Sequence, residues 1–443
     1  MSEFTYPAEL AVPPLTKAPT ATVTVPGSKS ITNRALALAA LASRESSCAL
    51  TGALRSEDTE VMVECLRKLG FRVDADWARA AITLQKHGSN RLVPAEAADL
   101  FVANSGTTVR FLAAMVSLSP GRYRLDGVPR MRERPIRDLL DALVQVPGVT
   151  AASETGTGCP PVVIGGTGWP EKDTVALNVR ADTSSQFLSG LAIAAAFHSG
   201  EAQIRVTGET VSEPYVRMTD EMIRAWCGTI TLLCGSEAPH QFEIRGSARH
   251  KSPARYAIEP DASSASYFWA AAAVAGGRVT VSGLNRTSLQ GDVRFVDVLA
   301  QMGCRVEECD TGITVRGGKL RGVDVDMNDI SDTVMTLGAV ALFADGPTAI
   351  RNVAHIRHKE TDRIAALATE LRKLGAEVEE REDGLTITPR PPTGCAVDTY
   401  NDHRMAMSLA LVGLRAPGVV IRNPGCVAKT YPGFWQDLAA LRQ

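Results

Sequence analysis

Six times along this chain, a short run of small polar residues leads straight into a helix-length apolar run. Pro26-Gly27-Ser28-Lys29-Ser30-Ile31-Thr32-Asn33-Arg34 opens Ala35 to Ala42, and Asn104-Ser105-Gly106-Thr107-Thr108 opens Val109 to Ala114. Asp182-Thr183-Ser184-Ser185-Gln186 opens Phe187 to Phe197, and Asp261-Ala262-Ser263-Ser264 opens Ala265 to Ala275. Ser331-Asp332-Thr333 opens Val334 to Ala344, and Tyr400-Asn401-Asp402-His403-Arg404 opens Met405 to Leu414. A spacing of roughly 70–80 residues between such loops marks duplicated structural units.

A second kind of helix lies between these runs. Glu60 to Leu69 carries its charges on one side and ends in Leu66-Arg67-Lys68-Leu69-Gly70-Phe71. Gly70 is placed there as a helix stop. The phrase returns as Leu299-Ala300-Gln301-Met302-Gly303-Cys304 and as Leu371-Arg372-Lys373-Leu374-Gly375-Ala376, with looser copies ending near Gly148 and Gly228. Each repeat therefore reads strand (Thr22 to Val25 in the first), apolar helix, strand, amphipathic helix, then one or two strands. Amphipathic helices face solvent, whereas helices apolar all round are buried. The pattern predicts an α/β fold with helices inside and sheets outside, three repeats in each of two domains. The least patterned stretch, 247–255, separates the third and fourth repeats and is the candidate hinge. The first domain is expected over 28–255, and the second over 1–27 with 256–443. Residues 1 to 20, rich in Pro and Ala, are expected to run over another part of the protein.

The first turn of a helix leaves free N–H groups and a partial positive charge. With Lys29 just before such an end and Arg34 one turn inside it, the first loop suits an anion, most simply a phosphate. A plain capped helix, with Ser28 or Ser30 as N-cap, is the alternative, and Asp332 has the same alternative. If the helices of each domain run parallel, all six loops line the cleft between the domains and attract strongly anionic substrates. Two basic runs, Pro129 to Pro135 and Arg357 to Arg363, are either solvated faces or part of that anion site. In the second run, Lys359-Glu360 and Arg363 put acid and base together at a loop-to-helix junction, where proton transfer is possible.

A net charge of −2 gives no global basic field for nucleic acid. Charges interrupt every long apolar run, so no membrane span is expected. Met1 to Tyr6 lacks the basic start and apolar core of a signal peptide. Nine cysteines occur without CxxC pairs, which favours a reduced cytoplasmic protein without zinc.

In order and together, these stretches resemble the 5-enolpyruvylshikimate-3-phosphate synthases. The likeness is carried by Pro26 to Arg34, Asn104 to Thr107, Pro129 to Pro135 and Ser184 to Phe187. It continues through Asp261 to Ala265, Gln290-Gly291-Asp292, Lys359 to Arg363 and Tyr400 to Met407, spanning 20–435. It implies a two-domain inside-out α/β barrel of three βαβαββ units per domain, with the active site in the interdomain cleft. The implied reaction transfers the enolpyruvyl group of phosphoenolpyruvate to the 5-hydroxyl of shikimate 3-phosphate and releases phosphate. It belongs to aromatic amino acid biosynthesis, and glyphosate occupies the phosphoenolpyruvate place.

By the same resemblance, shikimate 3-phosphate meets Lys29, Ser30, Arg34, Ser184, Ser185, Gln186, Ser212, Tyr215, Asp332, His355 and Lys359. Phosphoenolpyruvate meets Lys29, Asn104, Gly106, Arg110, Arg130, Gln186, Glu360, Arg363, Arg404 and Lys429. Asp332 is implied as the base on the 5-hydroxyl and Glu360 as the acid at the methylene carbon, with Lys29 supporting both steps. No metal or cofactor is implied, and a cytoplasmic monomer is. The charge balance agrees: two phosphates and two carboxylates bring about four to six negative charges, which several Lys and Arg side chains must meet. The sequence departs from many members at Ser105, Phe111, Glu213 and His355, where Ala, Pro, Lys and Asn are common.

The sister UDP-N-acetylglucosamine enolpyruvyl transferases are the nearest rival. They use a loop cysteine as acid and an Asn directly after the first lysine. Here Ser30 follows Lys29, and Cys159 sits beside Pro160 and Pro161 with no basic neighbour to lower its pKa. A non-catalytic binding protein on the same fold is the second rival. Phosphate release with either acceptor separates the three.

Overall fold

A computed structural model describes residues 4–171, 173–227, 241–245 and 253–442. Its helices are α1 (Lys29–Ala42), α2 (Glu57–Lys68), α3 (Gly106–Val116), α4 (Arg137–Leu143), α5 (Ser185–Ala196) and α6 (Glu213–Cys227). They continue as α7 (Ala262–Ala275), α8 (Phe295–Gln301), α9 (Val334–Ala341), α10 (Arg363–Lys373), α11 (His403–Gly413) and α12 (Phe434–Ala440). The odd-numbered helices are the six apolar runs. Every residue of α3, α9 and α11 is buried, as is α1 from Ile31 onward. The even-numbered helices bury one stripe, such as Met62, Val63, Cys65 and Leu66 of α2.

Local chemistry fixes where these helices begin and end. Ser28, Ser105, Ser184, Asp261 and Asp402 each accept a backbone N–H in the first turn of their helix, a cap worth about 1 kcal/mol apiece. The recurring Leu-to-Gly phrase is a C-terminal cap. Gly70, Gly303 and Gly375 take φ of 88°, 111° and 106°, where a side chain would be strained. The next residue then donates back: Phe71 to Leu66 O at 3.1 Å, Cys304 to Leu299 O at 3.0 Å, and Ala376 to Leu371 O at 3.0 Å. The copy ending near Gly228 lies outside the described residues.

The strands form six small sheets. In each complete one, two strands flanking an odd-numbered helix position pair in parallel and a hairpin adds antiparallel strands; 97–101, 121–126, 162–166 and 149–153 lie side by side in that order. Two strands do not stay with the helix they precede. The first is Thr20–Val23, two residues earlier than the alternation suggested; it runs parallel to Arg278–Ser282. Arg255–Ala257, which precedes α7, runs parallel to Cys48–Thr51. The chain therefore divides into two compact units, a first of Gly27–Ile258 and a second of Met1–Pro26 with Glu259–Gln443. The candidate hinge lies outside the described residues but for its last three, which enter the strand 255–257. The Pro-rich start also has a structural place: Glu9–Val12 pairs antiparallel with Val419–Arg422 and completes the sixth sheet.

Within the first unit α3 packs on α5, and α1 on α3 and α6; within the second α7, α9 and α11 pack together. At Gly190 of α5 a Cβ would stand 3.0 Å from the Arg110 carbonyl of α3, so the glycine permits the helix approach that brings Arg110 to the start of α5. No helix among the described residues is long and apolar enough to cross a membrane.

Candidate active site

In the first unit, the polar groups cluster at the N-terminal turns of α1, α3 and α5. Lys29 Nζ lies 3.3 Å from Oδ2 of buried Asp58, at the start of α2. Arg34 is fully buried. It gives hydrogen bonds to Thr219 Oγ1 (2.7 Å), Ser30 O (3.0 Å), Ser189 Oγ (3.3 Å) and Tyr215 O (3.2 Å). Its guanidinium stacks 5.1 Å from the Phe111 ring centroid and 5.7 Å from that of Tyr215. Burial lowers its pKa to about 10, so it stays charged. Arg34 therefore ties α1 to α5 and α6, and Phe111, one of the departures, is its aromatic floor.

Arg110 donates from Nη1 to Gln186 Oε1 at 2.7 Å and from Nη2 to the Pro135 carbonyl at 3.0 Å, over the Phe187 ring at 5.2 Å. Asn104 is held by buried Arg134, whose Nη1 reaches its carbonyl at 2.9 Å and its Oδ1 at 3.2 Å. Gly106 starts α3 under these cations. A Cβ there would meet Arg134 Nη2 at 2.6 Å and Arg110 Nη1 at 3.0 Å. Ser184 and Ser185 are buried at the start of α5 and Ser212, at φ 52°, just before α6. Arg130 sits further out, paired with Glu133 at 2.8 Å. Glu213, where many members carry Lys, pairs with Arg217 on the exposed face of α6 at 2.7 Å.

The second unit holds a network of buried charges. Arg363 begins α10 and is 1% exposed. Its Nε meets Asp402 Oδ2 at 2.8 Å, its Nη1 meets Asp332 Oδ1 at 3.1 Å, and its Nη2 meets Glu360 Oε2 at 2.8 Å. Burial works against its charge, but Asp402, Glu360 and Asp332 more than offset this and hold its pKa above the usual range. Asp332 also receives Arg404 Nη2 on Oδ2 at 2.7 Å. Lys429 Nζ lies 3.8 Å from Glu360 Oε1. Asp332 is not the N-cap of α9: that position is Thr333, whose side chain makes no cap hydrogen bond. His355 shares a 2.9 Å hydrogen bond with Ser331 Oγ. Burial, and then the Lys359 charge, push its pKa down to about 3, so its imidazole is neutral. Removing one partner from such a buried pair costs about 3–5 kcal/mol, and this fixes the geometry of both carboxylates.

The residues expected from the sequence thus fall into two sets. Lys29, Ser30, Arg34, Asn104, Gly106, Arg110, Arg130, Ser184, Ser185, Gln186, Ser212 and Tyr215 belong to the first unit. Asp332, His355, Lys359, Glu360, Arg363, Arg404 and Lys429 belong to the second. Arg357, counted among the basic residues near the loops, is engaged by Asp362 at 2.8 Å and Glu380 at 3.1 Å and braces its own loop. Sequence reasoning missed Asp58, Arg134, Asp292 and Asp402 as site residues. Arg134, Asp292 and Asp402 stood inside quoted motifs without a role, and Asp58 lies just before the amphipathic run Glu60 to Leu69; what sets all four apart from solvated charges is their burial, which comes with the fold. No group of three or more possible metal ligands occurs among the described residues.

The fold is one known from solved structures of enolpyruvyl transferases. EPSP synthase from Acinetobacter baumannii matches with a TM-score of 0.77 at 26% identity, over 98% of both chains. NikO, an enolpyruvyl transferase from Streptomyces tendae, matches with a TM-score of 0.71 at 20% identity, over 98% of this chain and 96% of that one, and shares the fold alone. The model of the family EPSP synthase (3-phosphoshikimate 1-carboxyvinyltransferase) matches residues 16–438. The 3-phosphoshikimate 1-carboxyvinyltransferase of Nostoc punctiforme is 46% identical over 427 residues, 96% of this chain and 97% of its own. That of Paraburkholderia phytofirmans is 44% identical over 432 residues, 95% and 96%. The chain belongs to the EPSP synthase family.

Proposed function

We propose that this chain transfers the enolpyruvyl group of phosphoenolpyruvate to the 5-hydroxyl of shikimate 3-phosphate, as a step in aromatic amino acid biosynthesis. The observation that carries the mechanism is the Arg363 guanidinium, which holds Asp332 on one nitrogen and Glu360 on the next. Two carboxylates fixed on one rigid fork are pre-oriented for two proton transfers. In the addition step, Asp332 takes the 5-hydroxyl proton as its oxygen bonds to C2 of the donor. Glu360 gives a proton to the methylene carbon. In the elimination step, Glu360 takes a proton back from the new methyl group, the C–O bond to phosphate breaks, and inorganic phosphate leaves with the proton that Asp332 took from the hydroxyl.

The first set supplies anion binding. Arg110, Arg130, Gln186, Asn104 and the Gly106 N-terminal turn suit phosphoenolpyruvate, with Arg363, Arg404 and Lys429 of the second set. Ser184, Ser185, Ser212, Tyr215, Ser30 and Arg34 suit shikimate 3-phosphate, with His355 and Lys359. Arg34 acts from beneath, since its guanidinium is largely taken up by Thr219, Ser189 and two carbonyls. Lys29, fixed by Asp58, balances the charge of both steps. On this reading glyphosate competes with phosphoenolpyruvate, the enzyme is a cytoplasmic monomer, and it needs no cofactor.

The test is phosphate release from phosphoenolpyruvate with shikimate 3-phosphate or UDP-N-acetylglucosamine as acceptor, with and without glyphosate. Turnover with the first acceptor alone is expected. Turnover with the second alone, or with neither, sinks the proposal.

A further inference from the structure

Just ahead of α11, Tyr400 and Asn401 take φ of 53° and 54°. Left-handed backbone at two successive residues with side chains is costly, and most so for a bulky one such as Tyr. The chain turns there, and Asp402 N–H donates to the Thr399 carbonyl at 2.8 Å. Asp402, fully buried, then accepts the Arg404 N–H at 2.9 Å and the Arg363 Nε at 2.8 Å. Strain beside a site persists only where the surrounding structure imposes it.

The side chain that imposes it is Glu370, a fully buried carboxylate of α10 that takes no part in the mechanism above. Its Oε1 accepts the Tyr400 hydroxyl at 2.7 Å, and its Oε2 accepts the Asp398 N–H at 3.0 Å. Lys373 Nζ lies 2.7 Å from Glu370 Oε2 and 2.9 Å from Asp398 Oδ2, and ties the two acids together. Burial, and then the bond to Glu370, raise the Tyr400 pKa to about 12, so the phenol remains a donor. Arg363 and Glu370 lie two turns apart on one side of α10. One helix therefore grips the segment from Asp398 to Asp402 at both ends, by Glu370 at its start and by Arg363 at its finish.

We propose that Glu370 is a positioning residue for the proton chemistry. By holding Tyr400 and Asp398 it keeps the strained turn that delivers Asp402 to Arg363, and Arg363 in turn holds Asp332 and Glu360. The proposal rests on the reading that those two carboxylates move protons. Without the clip the turn relaxes, Asp402 draws away from Arg363, and the fork no longer holds both carboxylates in one orientation.

The test is kcat, and exchange of solvent deuterium into the methylene of phosphoenolpyruvate, in the wild type, Tyr400→Phe, Tyr400→Gly and Glu370→Gln. Tyr400→Phe loses the clip but keeps the strain, so kcat and exchange should fall together by about tenfold. The KM for shikimate 3-phosphate should move by less than about twofold. Tyr400→Gly loses the clip and the strain at once, and should stay within about threefold of the wild type. A tyrosine that only packs gives the opposite order, because glycine removes more contacts. Glu370→Gln cannot accept on both arms, and adding Tyr400→Phe to it should cost little more kcat. A full kcat in Tyr400→Phe, or a glycine variant slower than the phenylalanine one, overturns the positioning role. If Glu370→Gln does not fold, the two Tyr400 variants decide. If the wild type does not release phosphate from these substrates, the reaction assigned above has failed, and this role falls with it; a working wild type with an equally fast Tyr400→Phe sinks this role alone.

Discussion

The two units use one repeat and one kind of helix start, but they treat positive charge differently. In the first, guanidinium groups rest on neutral acceptors: Arg34 on hydroxyls and carbonyls, Arg110 on Gln186 and Pro135, Arg134 on Asn104. In the second, Arg363, Arg404 and Lys429 rest on Asp332, Glu360 and Asp402. Neutral acceptors orient a cation without cancelling its charge, which suits holding anions. Carboxylate acceptors cancel the charge but bring groups that can carry protons. The same scaffold thus separates substrate binding from proton chemistry by the choice of acceptor. Lys29 with Asp58 and the more exposed Arg130 with Glu133 are exceptions in the first unit, and Lys29 is also the residue there assigned to the chemistry.

Glu360→Gln breaks the second half of that comparison most sharply. Gln keeps size and polarity but carries no titratable proton. The kcat should fall by roughly 10²–10⁴, the range for losing a general acid–base group, while substrate binding persists. Exchange of solvent deuterium into the methylene of phosphoenolpyruvate should fall in parallel. A near-wild-type kcat with an unchanged Tm would remove Glu360 from proton transfer.

Arg110→Lys probes the first half. A lysine keeps the charge but loses the fork between Gln186 and Pro135. The KM for phosphoenolpyruvate should rise roughly 10-fold or more, as for losing one charge-assisted hydrogen bond. Deuterium exchange at saturating donor should fall far less than in Glu360→Gln. Equal losses in both assays would mean that the division of labour is wrong.

Gly106→Ala sharpens the same half with a smaller change. The new methyl meets this protein's own Arg134 and Arg110, at 2.6 and 3.0 Å. The effect is therefore transmitted by guanidinium groups that must shift by tenths of an ångström. The expected result is a KM for phosphoenolpyruvate raised about 3- to 10-fold, with glyphosate weakened at least as much. Arg134→Lys in the same chain should recover part of the loss. Additive effects of the two changes would show that the methyl acts on the ligand directly.

Much of this was legible in the sequence because the repeats are local. The six polar loops, the apolar helices behind them and the glycine stops each follow from residues close together. The strand exchange was not legible, since nothing in Thr20–Val23 says that its partner is Arg278–Ser282 rather than a strand of the repeat it opens. The motif resemblance supplied the site residues, but their pairings depend on the fold. Asp332 read equally well as a helix cap until Arg363 and Arg404 were seen on its two oxygens. Arg34 read as part of an anion site one turn inside the first helix, and the turn of α1 carries it into the core. Asp292 lay in a quoted motif without a role, and its contact with the hydroxyl of Ser263, a residue distant in sequence, comes only with the fold.

The smallest effect concerns stability and comes from His355, the second unit's neutral member. Its pKa in the folded chain is pushed down to about 3 by burial and by Lys359; in an unfolded chain a histidine titrates near 6.5. Between those values the unfolded chain takes up a proton that the folded one refuses, so stability is lost as pH falls below about 6.5. Asp292 pulls the other way. Its raised pKa, about 7, means that its contribution is lost as pH rises from about 4 toward 7. The wild-type curve is the sum of the two, and only a difference isolates the imidazole. His355→Asn keeps a polar partner for Ser331 and cannot titrate. Between pH 6.5 and 5 it should lose about 2 kcal/mol less than the wild type, a few degrees in the acid-side fall of Tm. Parallel curves for the two proteins would mean that the imidazole accepts its proton in the folded state, and that the second unit carries one more positive charge than its hydrogen bonds imply.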